Sequence, residues 1–380
     1  MYAPLRLVYG LRPHASIGLL LAALTATFMF VLTPFAIPDV AADFDIAVGT
    51  AGLISTAQVG GFGLANVFAG RRLTPSAGLL RTGIGALVVV DVLSALAPTF
   101  VLLASLRFAA GMGAGLVTWV AWADSVHERR RLADVAAVGP VGAIAGAPIL
   151  GALVQAGGFR LSYAVLAATA AAALLIPQSL TAVAAPTRRR VSPSRSNLIL
   201  LGALLLFTLA GSSVYIYSAQ IAQDNFGMGP LAVSFAFSVN AAAGLAATRL
   251  QLPRTGAALW IGVVAVSVFT ITTDVHPVLF YAGLVGWGFG FWMAVPKVLR
   301  MLAERSLSPD ERVGDAQAGM AFGRAGGPVL GAPLATAGAF VALGGTAAIL
   351  LVACGLLVFG VQRYRTGRDE PAVQPQVWRL

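Results

Sequence analysis

The sequence predicts an all-α membrane protein, with twelve transmembrane helices arranged as two related six-helix halves. Three observations lead to this fold class. The composition is 58% hydrophobic and only 11% charged, whereas a soluble domain carries about 25% charged residues. Twelve apolar runs have the length of a membrane span, and one motif recurs 180 positions further along the chain.

The apolar runs define the elements in order. A transmembrane helix needs about 20 apolar residues, and the runs that meet this length are 16–38, 48–69, 82–98, 100–123, 135–156, 161–178, 197–219, 230–248, 256–273, 277–297, 316–338 and 340–361. The first run is too long for the core of a signal peptide and is predicted to be an uncleaved span. The predicted domains are an N-terminal bundle (1–178), a cytoplasmic linker (179–196), a C-terminal bundle (197–361) and a cytoplasmic tail (362–380).

The positive charge of the chain indicates membrane topology rather than nucleic-acid binding. The formal net charge is +10. If the N-terminus is cytoplasmic, 22 of the 25 Lys and Arg residues lie on the cytoplasmic side, only Arg160 lies outside, and Arg107 and Arg324 lie within spans. This is the distribution expected of a multi-pass protein, and it places both termini in the cytoplasm. The predicted outer loops carry Asp39, Asp43, Asp45, Asp224 and Asp274.

Two internal echoes indicate a duplicated membrane domain. Residues 145–158, AGAPILGALVQAGG, match residues 325–338, AGGPVLGAPLATAG, at an offset of 180. The pattern G-x-G-x-G in residues 111–117 returns in residues 286–292 at an offset of 175. Parallel repeats of this length are typical of transporters with two related halves.

The chain resembles the major facilitator superfamily over nearly its whole length. The stretch from Arg107 to Gly115 is similar to the Arg-and-glycine motif of that family's fourth helix. Residues 142–151, GAIAGAPILG, are similar to its fifth-helix antiporter motif, and Phe159-Arg160 is similar to the aromatic-Arg pair that opens its sixth helix. The loop 70–75 departs from the family pattern, because it contains no acid. The resemblance implies two six-helix bundles, a central cavity, alternating access and efflux driven by protons.

Small residues and prolines form a predicted packing and bending motif. GxxxG spacing lets helix backbones approach closely, and a helix rich in Gly and Pro can also bend as two bundles move. Both roles are open for these positions, which are Gly111, Gly142, Gly146, Pro148, Gly151, Gly327, Pro328 and Gly331.

Asp91 and Arg107 form the sharpest candidate pair. Each lies eight residues from the tip of the hairpin near Thr99, so both sit about 12 Å below that tip on antiparallel helices. A permanent buried ion pair is one interpretation, because charges inside a membrane usually have partners. In the other, Asp91 takes up a proton when Arg107 turns toward substrate. At an offset of 175 Arg107 maps onto Ala282, so packing alone does not require the charge.

Arg324 lies about eight residues into the eleventh span and maps onto Ile144 of the first half. Two roles are open for Arg324, attraction of an anionic group in the cavity and pairing at the interface between the bundles.

The resemblance implies that helices one, four, seven and ten line the cavity. By that analogy the candidates, beside Arg324, are Thr25, Thr33, Trp119, Tyr215, Asn240, Trp287 and Trp292. For each aromatic residue, packing in the core or in an interfacial belt is an equally good interpretation.

The sequence contains no pattern typical of an enzyme. No Walker loop is present, the three His residues are scattered, and the glycine-rich runs lie inside apolar helices, so we predict no ATP drive, no cofactor and no metal.

The favoured function is proton-coupled export of a small amphipathic or aromatic compound by a monomer in the plasma (inner) membrane. The alternatives are a facilitator or symporter that imports a small, possibly anionic metabolite, and a non-transporting receptor or assembly protein. The predicted partners are the lipid bilayer, the small-molecule substrate and protons.

Overall fold

A computed structural model describes residues 13–125, 128–180, 192–250, 252, 255–306 and 309–363, and every regular element within these ranges is a helix. Most of the predicted linker (181–191) and of the predicted tail (364–380) lies outside the described residues, as do the arginines Arg6, Arg12, Arg188, Arg189, Arg190, Arg254, Arg365, Arg368 and Arg379.

The first half of the chain forms six helical rods. They are α1 (Ile17–Asp43), α2 (Leu53–Arg72, preceded by the single turn Val48–Ala51), α3 (Ala77–Ala95), α4 (Phe100–Ser125) and the long helix Arg129–Leu175. Gly157 and Gly158 have non-helical backbone angles, so this long helix is two rods, α5 (129–156) and α6 (159–175).

The second half repeats the arrangement. Its rods are α7 (Arg195–Tyr215, continued by Ser218–Phe226), α8 (Pro230–Leu250), α9 (Ala257–Thr272), α10 (Pro277–Glu304), α11 (Pro309–Thr336) and α12 (Phe340–Arg363).

Eight helices in the described part of the chain are long and apolar enough to cross a membrane, and the one that spans 130–175 contains both α5 and α6. The helix α9 is a shorter apolar helix. The remaining two rods, α2 and α11, are richer in glycine and polar residues. They pack against each other across the two halves, so fewer of their side chains have to face lipid.

Contacts within each half hold the rods together. In the first half α2 packs on α4, α1 on α5, and α3 on both α4 and α6; in the second half α7 packs on α11 and α12, and α10 packs on α8 and α9. The two halves meet along two seams, α2 against α11 and α5 against α8.

The backbone supports the longer of the two sequence echoes. Gly158 and Gly338, which are 180 positions apart, both have φ of 65°. This left-handed region is unfavourable for residues other than glycine. Its presence at both positions shows that the same turn recurs at the end of α5 and of α11.

The structure corrects the alignment of the shorter echo. Gly111 packs against α2 and Gly113 against α3, whereas Gly288 packs against α8 and Gly290 against α9. Since α8 and α9 are the counterparts of α2 and α3, the structural offset is 177 rather than 175. An offset of 175 aligns all three glycines of G-x-G-x-G and an offset of 177 only two of them, which is why the sequence alone is misleading here.

A second correction concerns the outer acids. The helix α1 continues to Asp43, so Asp39 and Asp43 lie in its last turns and not in a loop. The Asp39 carboxylate accepts a hydrogen bond of 2.6 Å from the backbone N–H of Phe159, and Asp43 forms an ion pair of 2.7 Å with Arg160. These acids therefore secure the start of α6 against α1.

Candidate substrate and proton sites

Asp91 and Arg107 meet in the structure. A nitrogen of the Arg107 guanidinium lies 2.7 Å from the Asp91 carboxylate, and the side chains are 0% and 1% exposed respectively. The same nitrogen donates to the Ser94 hydroxyl at 2.6 Å. The equal depth of the two charges on the α3–α4 hairpin brings them together, as the spacing predicts.

Tyr163 of α6 completes the surroundings of the pair. The Arg107 guanidinium lies over its ring, 4.1 Å from the centroid. Cation–π contacts of this kind stabilise a desolvated arginine. The pair therefore lies between α3, α4 and α6, on the side of α4 that faces away from the seams with the second half.

The pair leaves hydrogen-bonding capacity unused. The second carboxylate oxygen of Asp91 and the Nε and Nη1 atoms of Arg107 are buried without hydrogen-bond partners among the described residues. Buried polar groups are normally satisfied, and an unsatisfied one needs an explanation. This is not the arrangement expected of an ion pair whose only role is to hold helices together.

In the second half, apolar residues occupy the positions equivalent to Asp91 and Arg107. With the offset of 177, Asp91 and Arg107 correspond to Val268 and Leu284, which are both fully buried. The fold therefore packs α9 on α10 without charges at this level, and the charged pair of the first half is not a requirement of helix packing.

Two of the predicted cavity residues lie inside the helix packing in this conformation. Thr25 and Thr33 are buried, and their hydroxyls donate to the carbonyls of Leu21 and Met29 in their own helix. The Thr33 hydroxyl also accepts a hydrogen bond from Gln58. These two threonines present no open polar surface, because the 3.6-residue period of α1 turns them toward its neighbours.

Asn240 and Trp292 also hold helices together. The Asn240 amide donates to the Leu284 carbonyl at 2.6 Å, which links α8 to α10. The half-exposed Trp292 ring packs against Gly244 of α8. Trp119 is partly buried and packs against the core of the first half.

An aromatic cluster lies where the two halves face each other. Tyr215 packs on Trp287 and on Phe237, with centroid distances of 5.1 Å and 5.0 Å, and Phe237 packs on Phe35 of α1 at 4.8 Å. The cluster therefore joins α7, α8 and α10 to the first half. Of the predicted cavity residues, Tyr215 and Trp287 belong to it.

Arg324 of α11 lies beside this cluster. Its guanidinium is 5.7 Å from the centroid of the Phe291 ring, and it interacts electrostatically with Tyr215. No carboxylate of the described residues lies within 4.0 Å of it. A charge at this depth costs about 2.5–3.5 kcal/mol on insertion scales. Arg324 is thus a membrane-depth cation without an ion-pair partner in the described part of the chain.

The two halves are joined at one end of the molecule, which we call the closed end. There the Tyr217 hydroxyl donates to the Pro328 carbonyl at 2.8 Å, and the Thr56 hydroxyl donates to the Ala325 carbonyl at 2.8 Å. Close by, the backbone N–H of Gly49 donates a hydrogen bond of 3.2 Å to the Thr336 hydroxyl. These bonds of the α2–α11 seam lie on the side that the charge pattern assigns to the exterior, and one further bond between the halves joins the Ser238 hydroxyl of α8 to the Ile144 carbonyl of α5.

Comparison with known proteins identifies the fold. A sequence model of the Major Facilitator Superfamily matches residues 19–318. The chain belongs to the Major Facilitator Superfamily. Its fold is that of a multi-pass membrane transporter of this superfamily and not that of an enzyme.

Solved structures of the superfamily resemble the chain along its length. A bacterial homologue of the human lysosomal transporter Spinster, in an inward-facing and occupied conformation, has a TM-score of 0.75 with 13% identity, covering 93% of this chain and 97% of that one. The same homologue in an inward-facing and unoccupied conformation has a TM-score of 0.72 with 14% identity, covering 93% and 98%. No curated protein sequence matches the chain.

The glycine and proline motifs of the superfamily resemblance lie at helix contacts. Gly111 approaches the backbone of α2, Gly142 and Gly146 approach α1, and Gly151 approaches Ser234 of α8. In the second half Gly327 and Gly331 approach α7. Pro148 lies within α5 and Pro328 within α11, where the carbonyl of Pro328 accepts the Tyr217 bond.

Several residues of the superfamily fold could not be singled out from the sequence. Ser94, Tyr163, Phe291 and Tyr217 carry much of the geometry described above. Only Tyr217 has a signal in the sequence, because residues 211–220 at the end of the seventh run, GSSVYIYSAQ, are unusually polar. Asp124 is a further case, because it is buried and forms an ion pair of 3.0 Å with Arg131.

Within the described residues, no group of three or more His, Cys, Asp or Glu is placed to hold a metal ion. His127 lies outside those residues.

Proposed function

We propose that this superfamily member is a monomeric, proton-coupled exporter of a small amphipathic or aromatic compound in the plasma (inner) membrane, with both termini in the cytoplasm. Residues 1–178 and 197–361 act as the two moving bundles, and residues 179–196 connect them. Asp91 is the proton site in this proposal, and Arg107 is its coupling partner.

The observation that carries the proposal is the buried pair itself. Asp91 and Arg107 are desolvated and incompletely hydrogen-bonded, at a level where the second half uses Val268 and Leu284. A buried ion pair is weak evidence for stability, because apolar residues of similar volume often serve as well. A charged pair that folding does not need is therefore a candidate for function.

The closed end supplies the second element of the mechanism. Alternating access requires that the seams α2–α11 and α5–α8 separate on one side while they close on the other. The contacts of Tyr217, Thr56 and Gly49 are the ones that have to break when the closed end opens. They are few, which suits a reversible seam, and the Tyr217 hydroxyl among them is buried.

Proton movement in energised inside-out vesicles tests the proposal. A pH-sensitive dye follows the gradient while aromatic and amphipathic compounds are added to wild type, Asp91→Asn and the double variant Asp91→Val/Arg107→Leu. We expect compound-dependent dissipation in wild type and its loss in both variants. Dissipation that survives in the folded double variant would make the pair a structural ion pair and contradict its role in proton coupling.

A glycine substitution tests the closed end. A Cβ atom at Gly52 would collide with the ring and hydroxyl of Tyr217, whereas a Cβ atom at Gly60 would meet nothing within 4 Å. We expect Gly52→Ala to separate the halves there and raise the labelling rate of a cysteine introduced at the fully buried Ala51 of the same turn. Gly60→Ala is the matched control, and equal labelling of the two variants would contradict a tight seam at this position.

A further inference from the structure

We infer that Arg324, beside Tyr215 and Phe291, binds the anionic group of an amphipathic organic anion, whose apolar part packs on the aromatic cluster. The inference deepens the proposed function by giving the transported compound a charge, and it rests on that function for the role of the cavity. It is independent of the direction of transport and of the Asp91 site.

The accessibility of Arg324 shows that it lines an internal space. Its side chain is exposed, yet its two neighbours in α11 are packed on other helices, Ala325 at the Thr56 hydrogen bond of α2 and Gly323 against Thr208 of α7. An arginine on the outer surface would not have both properties. The guanidinium lies 5.7 Å from the ring centroid of Phe291 of α10, and the preceding Gly323 packs on α7, so the space lies between α7, α10 and α11.

The entrance to this space is on the side opposite the closed end. Ala325, the next residue of α11, accepts the Thr56 hydrogen bond at the seam with α2, and Pro328 accepts that of Tyr217. Arg324 therefore lies just beyond the last hydrogen bond of the α2–α11 seam, and its side chain is accessible although Ala321, one turn further along, still lies against Gly63 of α2. A compound that enters from the open side meets Arg324 at the inner limit of its path.

The chemistry of the neighbours selects the class of ligand. A guanidinium presents a planar set of donors that matches a carboxylate, sulfonate or phosphate, and the described residues offer it no carboxylate. The rings of Tyr215, Trp287 and Phe291 offer apolar faces within the same region. A cation would be repelled, and a neutral compound would leave the charge uncompensated.

The first half shows that the fold does not require this arginine. At the offset of 180 its counterpart is Ile144, whose carbonyl accepts a hydrogen bond of 2.9 Å from Ser238 at the α5–α8 seam. The equivalent place in the first half thus carries an apolar, partly exposed side chain. Only the second half combines an accessible position with a positive charge.

Binding of three matched naphthalene probes to the purified full chain tests the inference. The probes are 2-naphthalenesulfonate, 2-naphthalenemethanol and 2-naphthylmethylammonium, and the readout is quenching of tryptophan fluorescence in nanodiscs of zwitterionic lipid. We expect wild type to prefer the sulfonate by at least about tenfold, a preference that added salt weakens. Arg324→Gln should lose that preference and keep the affinity for the neutral alcohol, while Arg324→Lys should retain part of it.

One control variant makes the result decisive. The variant Arg81→Gln removes an exposed arginine of α3 and should leave all three affinities unchanged. Equal affinity of wild type for the three probes, or equal loss of sulfonate binding in Arg81→Gln and Arg324→Gln, would overturn the inference. No proton gradient is present, so a failure of proton coupling would leave this result intact, and the reverse also holds.

An anionic group can belong to a soluble compound or to a lipid headgroup, and a second lipid composition separates these sources. Nanodiscs that contain phosphatidylglycerol should weaken sulfonate binding to wild type if a lipid headgroup occupies the site. Unchanged binding would assign the site to soluble amphipathic anions. In both cases Arg324→Gln should be insensitive to the lipid.

Discussion

The two arginines within the membrane spans occupy opposite environments. Arg107 is fully buried, 2.7 Å from Asp91 and against the ring of Tyr163. Arg324 is accessible, lies near aromatic rings and has no ion pair among the described residues. Because each half replaces the other's arginine with an apolar residue, neither charge is dictated by the shared fold. The difference suggests a division of labour, in which the first half holds the coupling pair and the second half holds the ligand site.

The largest expected effect follows from breaking the first-half pair. Arg107→Leu leaves the Asp91 carboxylate buried without its partner, and removal of one member of a buried pair costs about 3–5 kcal/mol. The free energy of unfolding, measured in detergent micelles, should fall by that amount.

The double variant Asp91→Val/Arg107→Leu tests whether the unpaired buried charge causes this loss, because it introduces the residues that the second half has at these positions. It should recover most of the lost stability. If the double variant were as unstable as Arg107→Leu, the correspondence with Val268 and Leu284 at an offset of 177 would be wrong.

A smaller effect distinguishes the two repeated turns. Alanine at Gly158 or Gly338 forces an L-residue to φ of 65°, which costs roughly 1–2 kcal/mol. At Gly158 the new Cβ atom would also collide with the Asp39 carboxylate, whereas at Gly338 it would meet nothing within 4 Å. We expect Gly158→Ala to lower the unfolding temperature more than Gly338→Ala, and the opposite order would contradict the role of Asp39 at the start of α6.

The smallest effect on stability is expected at Arg324. The side chain is accessible and has no ion pair to lose, and such substitutions usually change the free energy of unfolding by less than about 0.5 kcal/mol. Arg324→Leu should therefore unfold at nearly the wild-type temperature. A large loss of stability would show that Arg324 supports the contact between α10 and α11 instead of a ligand.

Much of the fold could be predicted because it depends on local patterns. Apolar runs of span length and the alternation of arginines gave the twelve rods, and the symmetric position of Asp91 and Arg107 about a tight hairpin placed them in contact. The partners from distant elements could not be predicted. Tyr163 reaches Arg107 only because α6 packs on α3, and nothing in the spacing of the chain encodes that contact.

Other predictions were limited by patterns that fit more than one structure. The G-x-G-x-G echo matches three glycines at an offset of 175 and two at the correct offset of 177, and only the faces that its glycines present decided between them. Thr25 and Thr33 were chosen by helix number alone, although the rotation of α1 buries both of them. For Arg324 the sequence left two roles open, and the roles proposed for Asp91, Arg107 and Arg324 in transport stay predictions.

The most direct test of the division of labour is a side-by-side measurement of Arg107→Leu and Arg324→Leu. Unfolding temperature and affinity for 2-naphthalenesulfonate are measured for both variants in the same nanodiscs. We predict that Arg107→Leu loses stability but retains sulfonate binding at temperatures where it is folded, while Arg324→Leu keeps its stability and loses sulfonate binding. If the two substitutions had the same effect on both quantities, the two arginines would share one role. That result would contradict the assignment of Arg107 to the coupling pair and of Arg324 to the ligand site.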